Sequence, residues 1–218
     1  MSQKVKFSIA GCCALIVLVL GLGVTNGAGF IPAIDHAGIA LIVHRSAWLN
    51  PIVIGITSIG NPPVIAVLSI CLALLFAWRR KPAVVGFIAA NMIGVNLANY
   101  IIKHIVLRPR PFVQDPHVHN LVAAGGWSFP SGHSAGSVLF FGTVIVCAGL
   151  LAKRRSTQTW LRVLCVLFIL AIGCSRIYVQ VHFPTDVLAG YACGTCGLML
   201  NWAFFSKALG NEEHNSLQ

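Results

Sequence analysis

Three short runs of this sequence gather cations, imidazoles and a carboxylate at spacings that can do chemistry. The first joins Lys103 to Arg110-Pro111, the second is Phe129-Pro130-Ser131-Gly132-His133, and the third runs from Ser175-Arg176 through His182 to Asp186. In the first run, Pro109 and Pro111 fix the backbone on either side of Arg110. A planar guanidinium beside an ammonium suits a phosphoryl group, because Arg donates two parallel hydrogen bonds and Lys adds a point charge. A cation at a helix end is commonly a headgroup anchor, yet an anchor needs no rigid frame. Arg108 is either a spare cation at this site or such an anchor.

The second run reads as a helix start, with Ser131 near the cap and Gly132 permitting close backbone approach. Free amides at such an N-terminus, with the positive end of the helix dipole, make an anion site. Four specified residues such as Pro130-Ser131-Gly132-His133 arise by chance in a chain of this length with a probability of roughly one in a thousand. In the third run, Pro184 opens a helix at the position proline favours. His182 then stands just outside it and Asp186 in its first turn. That i, i+4 spacing lets the carboxylate take one imidazole N–H and leaves the other ring nitrogen as a base or nucleophile.

The rest of the chain must position these runs, and it is apolar. Of 218 residues, 57% are hydrophobic and only 9% charged, with a mean hydropathy of +0.83. A soluble domain carries roughly a quarter charged residues, and a disordered chain needs low hydrophobicity, so both classes are excluded. The net charge of +10 does not indicate nucleic acid, which needs a polar frame to carry a basic patch. In an apolar chain, excess Lys and Arg report membrane orientation. A spanning helix needs about 20 apolar residues, and residues 7–24, 51–78, 82–102, 134–152, 161–176 and 184–205 meet or approach this. They lack the two-residue alternation of membrane strands. The sequence predicts an all-α polytopic membrane protein, with residues 1–218 forming one domain of six transmembrane helices.

Lys4, Lys6, Arg79, Arg80, Lys81, Lys153, Arg154, Arg155, Arg162 and Lys207, ten of the 15 cations, fall on one side of this layout. The short-loop cation bias therefore places both termini in the cytoplasm, with Trp78, Trp160 and Trp202 as interfacial anchors. All three chemical runs share the opposite face, where charge at membrane depth reads as functional. The first stretch shares the two early lysines and small residues of a cleaved signal peptide, but its apolar run is longer than a signal core. Its removal would also leave Lys207 on the wrong side.

Of the two long external connections, 27–50 contains an apolar stretch, 39–43, expected along the interface, and 108–130 is expected to be irregular. Residues 211–218 read as a mobile polar tail. The eight cysteines fall in or beside apolar stretches and read as small hydrophobes. Cys193 and Cys196 have redox spacing but no second pair or adjacent His, so they too read as packing residues. Asn96, Asn99 and Lys103 share one helical face. Amides in a span point into the bundle, so this stripe should carry Lys103 inward, with the two asparagines as interhelical partners.

Together the runs resemble the signature of the type 2 phosphatidic acid phosphatase superfamily of lipid phosphate phosphatases: K-x6-RP, PSGH and SR-x5-H-x3-D. All eleven fixed positions are met in order, from Lys103 to Asp186. The short chain and compact loops are similar to the bacterial integral-membrane branch. The resemblance implies phosphoryl transfer through a phosphohistidine at the external face, without metal or cofactor. His182 would be the nucleophile, Asp186 would orient its ring, and His133 would be the general acid and base. Lys103, Arg110, Ser131, the Gly132 amide and Arg176 would hold the phosphoryl oxygens. The implied substrate is a membrane lipid phosphate (phosphatidylglycerophosphate, phosphatidic acid or undecaprenyl diphosphate), with no obligatory protein partner. Three cations in place remove the need for a divalent ion, and Asp35 and Asp115 are the only other external acids. The alternatives are a phosphotransferase passing the same phosphoryl group to a lipid acceptor, and a non-catalytic membrane binding or transport protein. The latter has no need of both histidines.

Overall fold

The structure, a computed structural model, describes residues 1–214, and its regular elements there are helices. In chain order these are α1 (Gln3–Thr25), α2 (Phe30–Ile42), α3 (Leu49–Ile59), α4 (Pro62–Trp78), α5 (Pro82–Val106), α6 (Pro111–Gln114), α7 (Gly132–Val146), α8 (Ala148–Leu151), α9 (Arg155–Tyr178) and α10 (Pro184–His214). Proline opens α4, α5, α6 and α10, in the first turn, where its missing N–H is no loss. Ser131 caps α7 and Ser2 caps α1, each accepting from a first-turn amide.

Four helices, α1, α5, α9 and α10, are long and apolar enough to cross a membrane, and α3 with α4 forms a fifth crossing bent by 50°. The expected second span, 51–78, is thus broken at Gly60-Asn61. The fourth, 134–152, is interrupted at Cys147, where α7 gives way to α8. Alone, α7 has 15 residues, about 22 Å at 1.5 Å per residue, short of the roughly 30 Å hydrocarbon core. The apolar stretch 39–43 belongs to a longer helix, α2, which packs on α9 and α10 and buries Ile31 and Asp35. Residues 211–214 continue α10 rather than forming a loose tail, and the remainder of that tail lies outside the described residues.

α10 is the organising helix: α1, α5 and α7 all lie along it, and α7 is held on its other side by α9. Lipid tails are as apolar as leucine, so helices in a bilayer associate through close packing and interhelical hydrogen bonds. Both devices are present. A Cβ at Gly190 would stand 2.5 Å from the Ser131 carbonyl, so only glycine lets α10 approach the start of α7 this closely. The buried Asn91 on α5 accepts from Asn201 Nδ2 of α10 at 2.8 Å and donates to Thr143 Oγ1 of α7 at 3.0 Å. Asn91 therefore fills the interhelical role expected of Asn96 and Asn99. Asn96 faces outward and bonds to its own helix at the Met92 carbonyl. Asn99 is buried, with an Nδ2 that has no partner. Lys6, one of the cations counted for orientation, is buried against the Trp202 ring and donates to Ser206 Oγ. All eight cysteines are free.

Candidate active site

Helix ends place the chemical side chains. α5 closes on Leu107, whose left-handed φ of 52° turns the chain so that Arg108 runs inward. Arg110 then adopts extended backbone ahead of Pro111 and α6. At the start of α7, Ser131 Oγ accepts from the Ser134 amide at 3.4 Å and from Ser134 Oγ at 3.0 Å. After α9, Gln180 takes φ 57° and reverses the chain, which delivers His182 just ahead of Pro184 and α10. Ser131 N donates to the Asp186 carbonyl at 2.9 Å, which ties the two helix starts together.

His182 is 3% exposed and Asp186 fully buried. His182 Nδ1 lies 3.4 Å from Asp186 Oδ2, and that oxygen also accepts from the Phe183 amide at 2.9 Å. The opposite ring nitrogen, Nε2, lies 3.2 Å from Arg110 Nη1. A guanidinium can only donate, so Nε2 carries the lone pair and Nδ1 the proton. Burial lowers the His182 pKa to about 3 against the raising pull of Asp186, so the imidazole is neutral at pH 7. A neutral imidazole with an unprotonated Nε2 is the form that can attack, once Arg110 turns its N–H from that lone pair to a phosphoryl oxygen.

Cations surround this nitrogen. Arg110 Nη1 also donates to the Val181 carbonyl at 2.8 Å, and its Nη2 and Nε reach the carbonyls of Gly125 and Gly126. Lys103 Nζ donates to the Trp127 carbonyl at 2.8 Å. Arg176, 3% exposed, donates to Thr57 Oγ1 of α3 at 2.6 Å and keeps an unpartnered Nε. Among the described residues none of these three cations forms a salt bridge; the ion pairs at this end of the bundle are Arg108–Asp35 and Arg108–Asp186. His133 lies within electrostatic range of Lys103, Arg110, Arg176 and His182. Its Nε2 is 2.8 Å from Asn61 Oδ1. Gly132 and Asn99 meet at the same place: a Cβ on the glycine would stand 3.7 Å from Asn99 Oδ1. The structure thus brings all eight expected residues to one end of the bundle, in a cluster rich in donors and short of anions.

Arg108 is neither spare nor an anchor. It is 7% exposed, stacks on the Phe183 ring with 3.9 Å to the centroid, and is paired with two carboxylates. An unpaired buried cation is too costly to sit there, and its partners, Asp35 and Asp186, come from distant helices. Thr57 and Asn61 touch Arg176 and His133 directly, and Asp35 reaches Asp186 through Arg108, but none of the three carries a motif. The signals available for them were slight: an acid beside an apolar run for Asp35, and an Asn-Pro-Pro break in an otherwise continuous apolar stretch for Asn61.

The chain is 28% identical over 200 residues to phosphatidylglycerophosphatase B of Bacillus subtilis (strain 168), covering 88% of this chain and 93% of that protein. It is 30% identical over 164 residues to undecaprenyl-diphosphatase BcrC of the same organism, covering 74% and 76% respectively. A crystal structure of a transmembrane PAP2 type phosphatidylglycerolphosphate phosphatase from Bacillus subtilis superposes with a TM-score of 0.72 at 26% identity, covering 91% of this chain and 96% of that one. With its apolar helices, this makes the chain a multi-pass membrane protein. Residues 83–209, which hold every one of the expected site residues, match the PAP2 superfamily, and the chain belongs to it.

Proposed function

We propose that this protein is a membrane lipid phosphate phosphatase that works through a phosphohistidine at the extracytoplasmic face. The observation that carries the reading is His182 set between the Asp186 carboxylate, 3.4 Å from Nδ1, and the Arg110 guanidinium, 3.2 Å from Nε2, beside cations that form no salt bridge among the described residues. His182 Nε2 attacks phosphorus; the N–P bond forms as the P–O bond to the lipid breaks. Asp186 holds the Nδ1 proton and stabilises the charge that develops on the ring. His133, protonated once the phosphate anion has entered among the cations, gives that proton to the departing oxygen, then takes one from water as the water oxygen bonds to phosphorus and the N–P bond breaks. Lys103, Arg110 and Arg176, with Ser131 and the Gly132 amide, hold the three phosphoryl oxygens, so preorganised donors supply the charge stabilisation without a divalent ion.

The cation bias favours cytoplasmic termini, and α7 with α8 completes a sixth crossing of a single-domain bundle in the cell membrane. Phosphatidylglycerophosphate, phosphatidic acid and undecaprenyl diphosphate are the substrates to compare first, since relatives named for two of these activities match at similar identity. The test is labelled phosphate transfer from each lipid in chelator. His182→Asn should abolish both release and the acid-labile phosphoenzyme, a loss of about four decades or more for a removed nucleophile. Near-normal release by that variant, or label on another residue, would refute the assignment.

A further inference from the structure

We propose that Arg108 and Asp35 are positioning residues of the phosphoryl transfer, acting on His182 through Asp186; the inference rests on the lipid phosphatase reading above. The contact from Asp186 to His182 is long, at 3.4 Å, so the imidazole does not itself hold the carboxylate in place. The orientation is set from the other side. Arg108 Nη1 donates to Asp186 Oδ1 at 2.8 Å while the Phe183 amide holds Oδ2 at 2.9 Å. Each carboxylate oxygen thus has one fixed donor, and the remaining lone-pair direction of Oδ2 is left for His182.

Arg108 is itself immobilised. Its Nη1 also donates to Thr185 Oγ1 at 2.7 Å, its Nη2 to Asp35 Oδ2 at 2.5 Å, and its plane lies over the Phe183 ring. Asp35 in turn accepts from the Thr185 amide at 2.9 Å and from Thr185 Oγ1 at 2.8 Å. The Thr185 amide is one of the free donors in the first turn of α10, so α2 caps α10 from outside. Close seating of α2 makes this reach possible: a Cβ at Gly38 would stand 2.6 Å from Pro184 Cγ. Asp35, Arg108, Thr185 and Asp186 are all at least nine-tenths buried.

The charges also have a logic. One guanidinium shared by two carboxylates leaves one negative charge beside His182. Were Asp35 absent, Arg108 would neutralise Asp186 alone, and the ring would lose the charge that stabilises it during attack. Arg108 therefore fixes the direction of Asp186, and Asp35 keeps Arg108 from cancelling it. A lysine could not serve, because a single ammonium on a flexible stem lacks the planar fork that reaches both acids.

The experiment is a double-mutant cycle on the full-length protein with radiolabelled phosphatidic acid in mixed micelles. Arg108→Gln and Asp35→Asn should each lower kcat by about tenfold or more while KM stays within about threefold, and Arg108→Lys should not restore kcat. In an Asp186→Asn background, either change should cost less than about threefold further, because the residue it acts through is already disabled. Equal losses in both backgrounds, or a loss carried by KM, would overturn the proposal. If Arg108→Gln does not fold, Asp35→Asn, which keeps side-chain size and an oxygen for Thr185, runs the same cycle. A wild-type protein inactive on every lipid phosphate would defeat the functional reading itself, whereas an active one with additive variants would defeat only the positioning role.

Discussion

Removing the Asn61 carboxamide should slow the enzyme to the extent that its substrate's leaving group needs a proton. Asn61 Oδ1 lies 2.8 Å from His133 Nε2 and is the hydrogen-bond partner the structure gives that ring. It sits at the 50° bend between α3 and α4. That bend is packed against the site: a Cβ at Gly60 would stand 2.5 Å from Ile172 Cγ2 and 3.4 Å from His133 Cδ2. A neutral hydrogen bond in such a setting is worth about 0.5–1.5 kcal/mol. If all of that is spent on aligning His133, Asn61→Ala should slow proton delivery by about two- to tenfold, at 1.36 kcal/mol per decade. Removing the proposed acid with His133→Ala should cost about two to four decades. The assay compares phosphatidic acid, whose alkoxide needs the proton, with p-nitrophenyl phosphate, whose phenolate leaves without one. The pre-steady-state burst of nitrophenolate reports the proposed N–P bond formation alone. Asn61→Ala should be impaired on the lipid and close to wild type in the burst. An equal loss on both substrates would mean that Asn61 only supports the fold, and no loss on either would remove it from the site.

Two further outcomes follow from burial and packing. The His182 pKa of about 3 in the folded protein, against an ordinary value near 6.5 when unfolded, means that between these values the unfolded chain binds the extra proton. Stability from this group is therefore complete above pH 6.5 and lost as pH falls toward 3, by at most about 1.4 kcal/mol per unit. The wild-type Tm in detergent should fall more steeply between pH 6.5 and 4.5 than that of His182→Asn, and parallel curves would refute the argument. Gly190→Ala puts a Cβ 2.5 Å from the Ser131 carbonyl and 2.8 Å from Ser134 Cβ, so the start of α7 must shift. We expect a loss of about 1–3 kcal/mol, seen as a lowered Tm, together with reduced activity. Gly11→Ala, with nothing within 4 Å, is the control that should do neither.

What could be read from the sequence divides along a physical line. Lys103, Arg110, His133, Arg176, His182 and Asp186 stand out because charge is scarce in this chain and its spacing constrains geometry locally: His182 and Asp186 meet because they flank one helix start. The bend at Asn61 escapes hydropathy, which measures how apolar a run is and not which way it points. Its signal lies in Pro62 and Pro63, since a residue before proline avoids the helical region, and Asn61 is indeed extended at φ −60°, ψ 136°. Thr57 and Asp35 leave no such trace, for their partners Arg176 and Arg108 lie 119 and 73 residues away in the chain. The misreading of Arg108 has a similar cause and the larger consequence. A cation at a helix end defaults to an anchor unless buried acids face it, and that is a question of tertiary approach. Once Asp35 and Asp186 are seen to be bound to Arg108, the strength of the site has a different origin from the net charge of +10. Lys103, Arg110 and Arg176 are left without a carboxylate bound to them because Asp35 and Asp186 are both directed at Arg108, which balances one of their two charges. Adding cations elsewhere at this end of the bundle would do little for phosphate binding, whereas releasing either acid from Arg108 would supply a competing internal anion.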